Sequence, residues 1–333
     1  MKMKAIVLHD KFSPLTIEEV EKPMPKAGEV LVKIVAAAFN HRDVWIQKGQ
    51  YAGLKFPIIL GSDGSGVVEA VGEGVAQQLI GKEVIINPSL GWGNDERVQS
   101  KHYKILGLPD NGTFAEYVVV PSYTVFSKPE HLSHCDAAAI PLAGLTAWRA
   151  LFSRAKCQSN SKVLITGIGG GVALFALQFA LAAGANVFVT SGSDEKLKRA
   201  IHLGATAGEN YQSDLWHKQL AEAHGGFDVI IDSAAGTAFA KLVDLANPGA
   251  SIVFYGGTNG NITELNPQKI FWKQLNILGS TMGSNHDFEQ MLSFVNKHKL
   301  KPIVDEVFSF EKAQTAIEKM ANKEQFGKIV LKF

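Results

Sequence analysis

The sequence predicts an α/β chain in two parts, a β-rich unit and a doubly wound parallel sheet. Three observations carry this. Residues 1–125 read as short strands separated by turn-forming Pro and Gly, and from about 130 to 280 strands alternate with helices. Where the second regime begins, a strand runs through glycines straight into a helix. At 333 residues the chain also exceeds one ordinary core, so two domains are the length expectation.

In the first part, strands are expected over 4–8, 29–37, 64–71, 83–87 and 114–120, with one helical patch over 40–47. Turn-rich pieces such as Pro23-Met24-Pro25-Lys26-Ala27-Gly28 separate them. In the second part a strand over 162–166 leads into an apolar helix over 171–183. A second strand over 186–191 precedes an amphipathic helix over 194–203, with Asp194 placed to cap it. Further strands fall at 228–232, 250–256 and 276–280. Strands alternating with helices need crossover connections, which imply a parallel sheet covered on both faces. Helices over 287–297 and 312–322 precede a last strand, 328–333. That strand has no place in a completed parallel sheet and is assigned back to the N-terminal β unit. The domains are therefore 1–125 with 282–333, and 126–281.

The charge balance, 33 basic against 32 acidic residues, leaves no footprint for nucleic acid or an anionic membrane. Two cysteines, Cys135 and Cys157, cannot make a disulfide framework and suit a reducing compartment. The apolar run after Met1-Lys2-Met3-Lys4 stops at His9-Asp10, too short for a signal peptide. The longest apolar tract, 172–189, is broken by Gln178, Gly184 and Asn186, and reads as a helix and a strand rather than a membrane span. A cytoplasmic protein with a small-molecule substrate is expected.

The sharpest local signal is the segment Lys162 to Ala173. It carries the spacing Gly167-x-x-Gly170-x-x-Ala173 between a strand and a helix. Glycines let the backbone approach a pyrophosphate, the helix N-terminus offers free N–H groups, and Ala173 permits close helix–strand packing. The second strand ends Val189-Thr190-Ser191-Gly192-Ser193, with no carboxylate for the ribose hydroxyls of NAD before Asp194 and Glu195. That small, hydroxyl-rich end leaves room for a 2′-phosphate, and Lys196 stands within reach of it unless it is only a solvated helix charge. NADP(H) is the expected cofactor, in a Rossmann domain.

Taken together, the chain resembles the medium-chain dehydrogenase/reductase superfamily along essentially its whole length. The marks are Pro25-x-x-Gly28-Glu29-Val30-Leu31-Val32-Lys33, Asn40-His41-Arg42-Asp43, Gly61-x-Asp63-Gly64-x-Gly66-Val67-Val68 and Val71-Gly72. Further on come Gly112-Thr113-Phe114-Ala115-Glu116-Tyr117, Ala143-Gly144-Leu145-Thr146-Ala147, the glycine turn and Gly327-Lys328-Ile329-Val330. The resemblance is greatest to the zinc-free, quinone oxidoreductase-like branch, and it implies a GroES-like catalytic domain beside the Rossmann domain. Zinc alcohol dehydrogenases of the superfamily carry a cysteine where this chain has Asn40, a His-Glu pair where it has Ser62-Asp63, and a cysteine where Leu142 falls. Their four-cysteine lobe corresponds to 88–112, which holds no cysteine and reads as a plain surface loop. His41 and His102 nearby read as structural. No functional zinc is expected.

Without a metal to polarise an alcohol or ketone, the chemistry left to NADPH is hydride delivery to a quinone or to an activated C=C such as an enone or alkenal. The resemblance points to Asn40 as a hydrogen-bond donor. Tyr51, eleven positions later, is either a proton donor, as in the enoyl thioester reductases of the superfamily, or a pocket-wall aromatic. Asp43 is expected to hold the local helix or Arg42. Asp63 is expected to hydrogen-bond in the pocket or to pair with Arg42. For the cofactor, the resemblance assigns Gly167, Gly169, Gly170, Gly171 and Val172 to the pyrophosphate, and Ser191, Gly192, Lys196 and Tyr211 to the adenosine phosphate. It assigns Thr146, Tyr255, Gly256, Gly257, Gly279 and Thr281 to the nicotinamide side. A homodimer through the last Rossmann strands, around 251–256 and 276–282, is also implied. The alternatives are an enoyl thioester reductase, a dehydrogenase of an unusual alcohol, and a non-catalytic NADPH-binding protein.

Overall fold

The computed structural model describes residues Met1–Phe333. The N-terminal segment contains β1 (Lys2–Leu8), β2 (Thr16–Glu21), β3 (Glu29–Ala38), helix α1 (His41–Gln47), β4 (Ile58–Ile59), β5 (Asp63–Val71) and β6 (Glu83–Ile86). It continues through β7 (Ser89–Leu90), β8 (Lys104–Ile105), β9 (Tyr117–Pro121), β10 (Val125–Ser127) and helix α2 (His134–Ala138). The run Val30, Leu31, Val32, Ile34 makes β3 strand-forming and buried, and it bonds antiparallel to β5 and to β9.

After α3 (Pro141–Trp148) come β11 (Lys162–Ile165), α4 (Gly171–Ala182), β12 (Asn186–Ser191), α5 (Asp194–His202), β13 (Ala207–Asn210) and α6 (Trp216–His224). Then follow β14 (Phe227–Asp232), α7 (Phe239–Leu245), β15 (Ala246–Phe254), α8 (Pro267–Trp272) and β16 (Asn276–Gly279). The six strands form a wholly parallel sheet in the order β13-β12-β11-β14-β15-β16. Val163, Leu164 and Ile165 on β11, and Ile230 and Ile231 on β14, are buried together, as a strand covered on both faces requires. The strand order reverses between β11 and β14, where doubly wound sheets bind their ligands.

The chain ends with α9 (Asn285–His298), β17 (Val304–Ser309), α10 (Ala313–Ala321) and β18 (Lys328–Lys332). β18 pairs antiparallel with β3, matching Val330 to Ala38 and Leu331 to Ala37. The last strand thus returns to the N-terminal sheet, whose order is β10-β6-β5-β3-β18-β17. No helix is long and apolar enough to cross a membrane.

The chain divides into two compact units, Met1–Ala143 with Gly283–Phe333, and Gly144–Met282. The first boundary lies at residue 143 rather than near 125, because Ala138 and Ala139 pack against Ala36, Ala38 and Val330. Two local expectations are corrected. Residues 88–111 are not a plain surface loop: β7 pairs with β8, Leu90, Leu106 and Leu108 are buried, and Trp92 meets Tyr103 edge-on at 5.4 Å. These apolar residues follow neither helix nor strand period, so the pattern hides them. Helix α5 is capped by Ser193, whose hydroxyl accepts from the Lys196 N–H, and Asp194 sits in the first turn.

Candidate active site

Helix α1 begins at Asn40. The Asn40 N–H donates to Asp43 Oδ2 at 2.8 Å, and the Asp43 N–H donates to the Asn40 carbonyl at 2.9 Å. Its side chain points elsewhere. Asn40 Nδ2 donates to Asp63 Oδ2 at 2.9 Å, and Asn40 Oδ1 accepts from Lys328 Nζ at 2.7 Å. Lys328 Nζ also donates to the Phe39 carbonyl at 2.7 Å and to Asp63 Oδ2 at 2.9 Å, while Asp63 Oδ1 accepts from the Leu142 N–H at 2.8 Å. Asn40, Asp63 and Lys328 are all buried, so this is an ion pair shut off from water.

A second set of contacts runs beside it. Arg42 Nη1 donates to Ser62 Oγ at 2.6 Å and to the Leu106 carbonyl at 2.8 Å. Its Nε lies 3.5 Å from Tyr51 Oη, and the guanidinium carbon stands 5.1 Å from the Tyr51 ring centre. Asp63 therefore pairs with Lys328 and not with Arg42. The structure brings Asn40, Asp43 and Asp63 together and sets Tyr51 against Arg42, the residue between Asn40 and Asp43. Lys328 is the residue that sequence reasoning missed. The available signals were its place in the family mark Gly327-Lys328-Ile329-Val330 and at the head of an apolar run, and its partner Asp63 lies 265 positions away.

Asp43 is fully buried, and its Oδ1 has no hydrogen-bond partner. Burial raises its pKa to about 6, against the lowering effect of Arg42 and the Asn40 N–H. With both capping contacts local, Asp43 holds the first turn of α1, one of the two roles expected of it.

In the second unit, the residues assigned to a dinucleotide lie at the carboxyl ends of the parallel strands, apart from Thr146. Gly167 and Gly169 take φ of +66° and +126°, in the left-handed half of the backbone map that glycine enters at no steric cost, and Gly170 caps α4. A side chain at Gly170 would meet no protein atom within 4 Å, so the helix N-terminus is open to an anionic ligand. Gly171 and Val172 form its first turn, and Ala173 is buried against the sheet as expected. The Lys196 side chain crosses Gly169, with Cδ 2.8 Å from where a Cβ would sit, and the Tyr211 ring covers Gly192. The Ser191 hydroxyl donates to the Ile168 carbonyl at 3.4 Å and accepts from the Ser193 N–H, tying the strand end to the glycine turn.

Asp232, also missed, ends β14. It accepts from Thr166 Oγ1 at 2.6 Å and from the N–H groups of Ala234 and Ala235, locking the turn beside the glycines. Tyr255 follows β15 with its phenol pushed up by burial. Gly256 lies against the Ser233 carbonyl, where a Cβ would come within 2.5 Å, whereas Gly257 and Gly279 face open space. Thr281 precedes buried Met282, whose Sδ accepts from Thr146 Oγ1 at 3.8 Å.

The wholly parallel sheet with an open glycine turn is a nucleotide-binding architecture, and the chain also carries a separate β unit with buried polar groups. The alcohol dehydrogenase GroES-like domain matches residues 26–130 and the zinc-binding dehydrogenase domain matches 171–297. A zinc-type alcohol dehydrogenase-like protein, YogA, of Leptosphaeria maculans is 37% identical over 96% of this chain and 95% of its own. The human quinone oxidoreductase is 28% identical over 94% and 92%. The crystal structure of an NAD-dependent alcohol dehydrogenase superposes with a TM-score of 0.93 at 38% identity, covering 99% of this chain and 100% of that one. The chain belongs to the medium-chain dehydrogenase/reductase superfamily, and it is an oxidoreductase that binds a nicotinamide cofactor.

The residues present do not fit the zinc that one domain name implies. Both Asp63 oxygens are already taken by donors, Asn40 Oδ1 holds an ammonium, Ser62 Oγ is bonded to Arg42 and Leu106, and Leu142 offers no side-chain donor. No group of three or more His, Cys, Asp or Glu side chains is placed to hold a metal ion.

A test concerns Asp43. Its folded pKa of about 6 lies above the ordinary 3.8, so between these values the folded chain binds more protons than the unfolded one. Stability therefore falls as pH rises through that window and is level above it, by on the order of 3 kcal/mol in all. Asp43→Asn keeps the cap acceptor and removes the titration. In urea unfolding at pH 4 to 7, the stability of Asp43→Asn relative to the wild type is expected to climb with pH; a constant difference would refute the assignment.

Proposed function

We propose that the chain is an NADPH-dependent reductase of quinones or of activated C=C bonds, enones and alkenals, that works without zinc. The buried Lys328–Asp63–Asn40 cluster carries this reading, because no metal donor set remains there. Without a Lewis acid the acceptor must be polarised already. NADPH supplies the hydride when bound. As hydride reaches the β-carbon of an enone, the electron pair moves to the carbonyl oxygen, and hydrogen-bond donors stabilise the charge formed there. Asn40 Nδ2 has a second proton beyond the one given to Asp63. Tyr51 Oη, held against the Arg42 guanidinium, is assigned as the source of the proton for the α-carbon.

Purified protein is expected to oxidise NADPH with a quinone or a 2-alkenal, to keep that activity through dialysis against a chelator, and to show no turnover of simple alcohols with NAD. Tyr51→Phe should lower alkenal turnover about 100-fold, within the usual span for a lost general acid. Undiminished turnover would remove Tyr51 from the mechanism. Loss of activity on chelation with recovery on added zinc would overturn the metal-free reading, and crotonyl thioesters in the same panel test the enoyl thioester alternative. Binding of NADPH without turnover of any acceptor would favour a non-catalytic protein.

The preference for NADPH is supported by the end of β12. No carboxylate stands there, Asp194 is tied to Asn210 at 2.7 Å, the Tyr211 ring lies on Gly192 and the Lys196 side chain on Gly169, and we assign Gly192, Lys196 and Tyr211 to the 2′-phosphate. Lys196→Ala should weaken NADPH about tenfold, the loss of roughly 1.4 kcal/mol, and leave NADH nearly unchanged. Equal weakening of both cofactors in fluorescence titrations would sink the assignment.

A homodimer through the sheet edge is also proposed. β16 ends the parallel sheet with one side unpaired, and next to it in the chain Phe271 and Trp272 are 62% and 84% exposed. Sedimentation equilibrium should return twice the chain mass of 36.0 kDa for the wild type and a monomer for Trp272→Glu. A monomeric wild type would count against it.

A further inference from the structure

We propose that Lys328 is a positioning residue that fixes which end of the Asn40 amide faces the substrate, so that Asn40 offers an N–H and not a carbonyl to the reacting oxygen. The proposal rests on the reduction chemistry above and adds to it the group that orients the donor.

An asparagine side chain has two ends of nearly equal shape, and its hydrogen-bond partners decide which way it lies. Here the partners are a cation and an anion. Lys328 Nζ stands 2.7 Å from Oδ1, and Asp63 Oδ2 stands 2.9 Å from Nδ2. Turning the amide over would set NH2 against the ammonium and the carbonyl against the carboxylate. Two charge-assisted hydrogen bonds would be replaced by two like-facing contacts. Asp63 and Lys328 are 0% and 3% exposed, so water does not soften the choice. A lone carboxylate or a lone cation would bias the amide; the pair leaves it a single orientation.

The lysine acts only through Asn40. Its three protons go to three acceptors, the Phe39 carbonyl, Asn40 Oδ1 and Asp63 Oδ2, and none is left for a substrate. Asn40 Nδ2 has two protons and gives one to Asp63. The backbone supports this arrangement. The Phe39 N–H donates to the Ile329 carbonyl at 2.9 Å, which sets the residue after Lys328 beside the residue before Asn40. The Phe39 ring is itself packed 4.5 Å from the Phe114 ring centre. An ammonium thus does the organising part of a metal's work, holding oxygens in fixed places, without a vacant orbital to accept a lone pair.

The test uses the full chain with three changes. Lys328→Met in combination with Asp63→Asn removes the ion pair without leaving a buried charge alone, and Asn40→Leu removes the donor. With a 2-alkenal as acceptor, K328M/D63N and N40L are each expected to lower kcat about 100-fold, the usual loss for one donor to a developing oxyanion. KM for NADPH should stay within about twofold, and the triple variant should lose no more than either, because both changes remove one interaction. Independently of turnover, protein labelled with 15N at asparagine gives the Asn40 side-chain NH2 signal, assigned by its loss in N40L. Its solvent exchange should be at least about tenfold faster in K328M/D63N, the equivalent of roughly 1.4 kcal/mol of lost restraint. Unchanged exchange in the folded variant overturns the proposal, as do multiplied losses of kcat in the triple variant. If the wild type turns over no acceptor, the proposed reduction fails by itself, and the exchange measurement still decides the role of Lys328.

Discussion

A single buried ion pair organises the first unit, Met1–Ala143 with Gly283–Phe333. Lys328 and Asp63 lie 2.9 Å apart with almost no access to water, and they join three pieces of chain that are distant in sequence: the start of β18, the start of β5 and the Phe39–Asn40 junction. Taking two charges out of water costs several kcal/mol per ion, and only full satisfaction offsets it. That condition is met, with three acceptors around the ammonium and three donors around the carboxylate. Such a pair adds little net stability over an apolar substitute, but removing one partner costs about 3–5 kcal/mol. It specifies a geometry more than it stabilises a fold.

The neighbouring groups follow from that geometry. With Asp63 committed to Lys328, Arg42 turns to Ser62, the Leu106 carbonyl and the ring and hydroxyl of Tyr51. Asp43 is left with a capping role and a carboxyl that burial pushes towards neutrality. Two aspartates and two cations in one small region therefore sort into an ion pair, a helix cap and a guanidinium that holds a phenol. Each assignment depends on which oxygen is already spent.

The nucleotide end rests on a different constraint, the need for bare backbone. Gly167 and Gly169 adopt positive φ, which favours glycine, and a Cβ at Gly170 would meet no protein atom within 4 Å. Ser191 and Asp232 brace that turn from below, through Ile168, Thr166 and the N–H groups of Ala234 and Ala235.

Much of this was legible in the sequence. The change from β-rich to alternating pattern, the glycine turn on its strand and helix, the missing ribose carboxylate and the return of the last strand all reside in local order and spacing, and the local backbone physics that reads them needs no partner. The absence of cysteine at Asn40 and Leu142 was a matter of counting. What the tertiary structure alone decided was pairing. Nothing local distinguishes Arg42 from Lys328 as the partner of Asp63, or tells that the Ser191 hydroxyl is spent on Ile168, or that Trp92 leaves a polar stretch to bury itself against Tyr103. A buried charge takes whichever partner the strand register brings to it, and the register of β18 on β3 links residues nearly 300 positions apart.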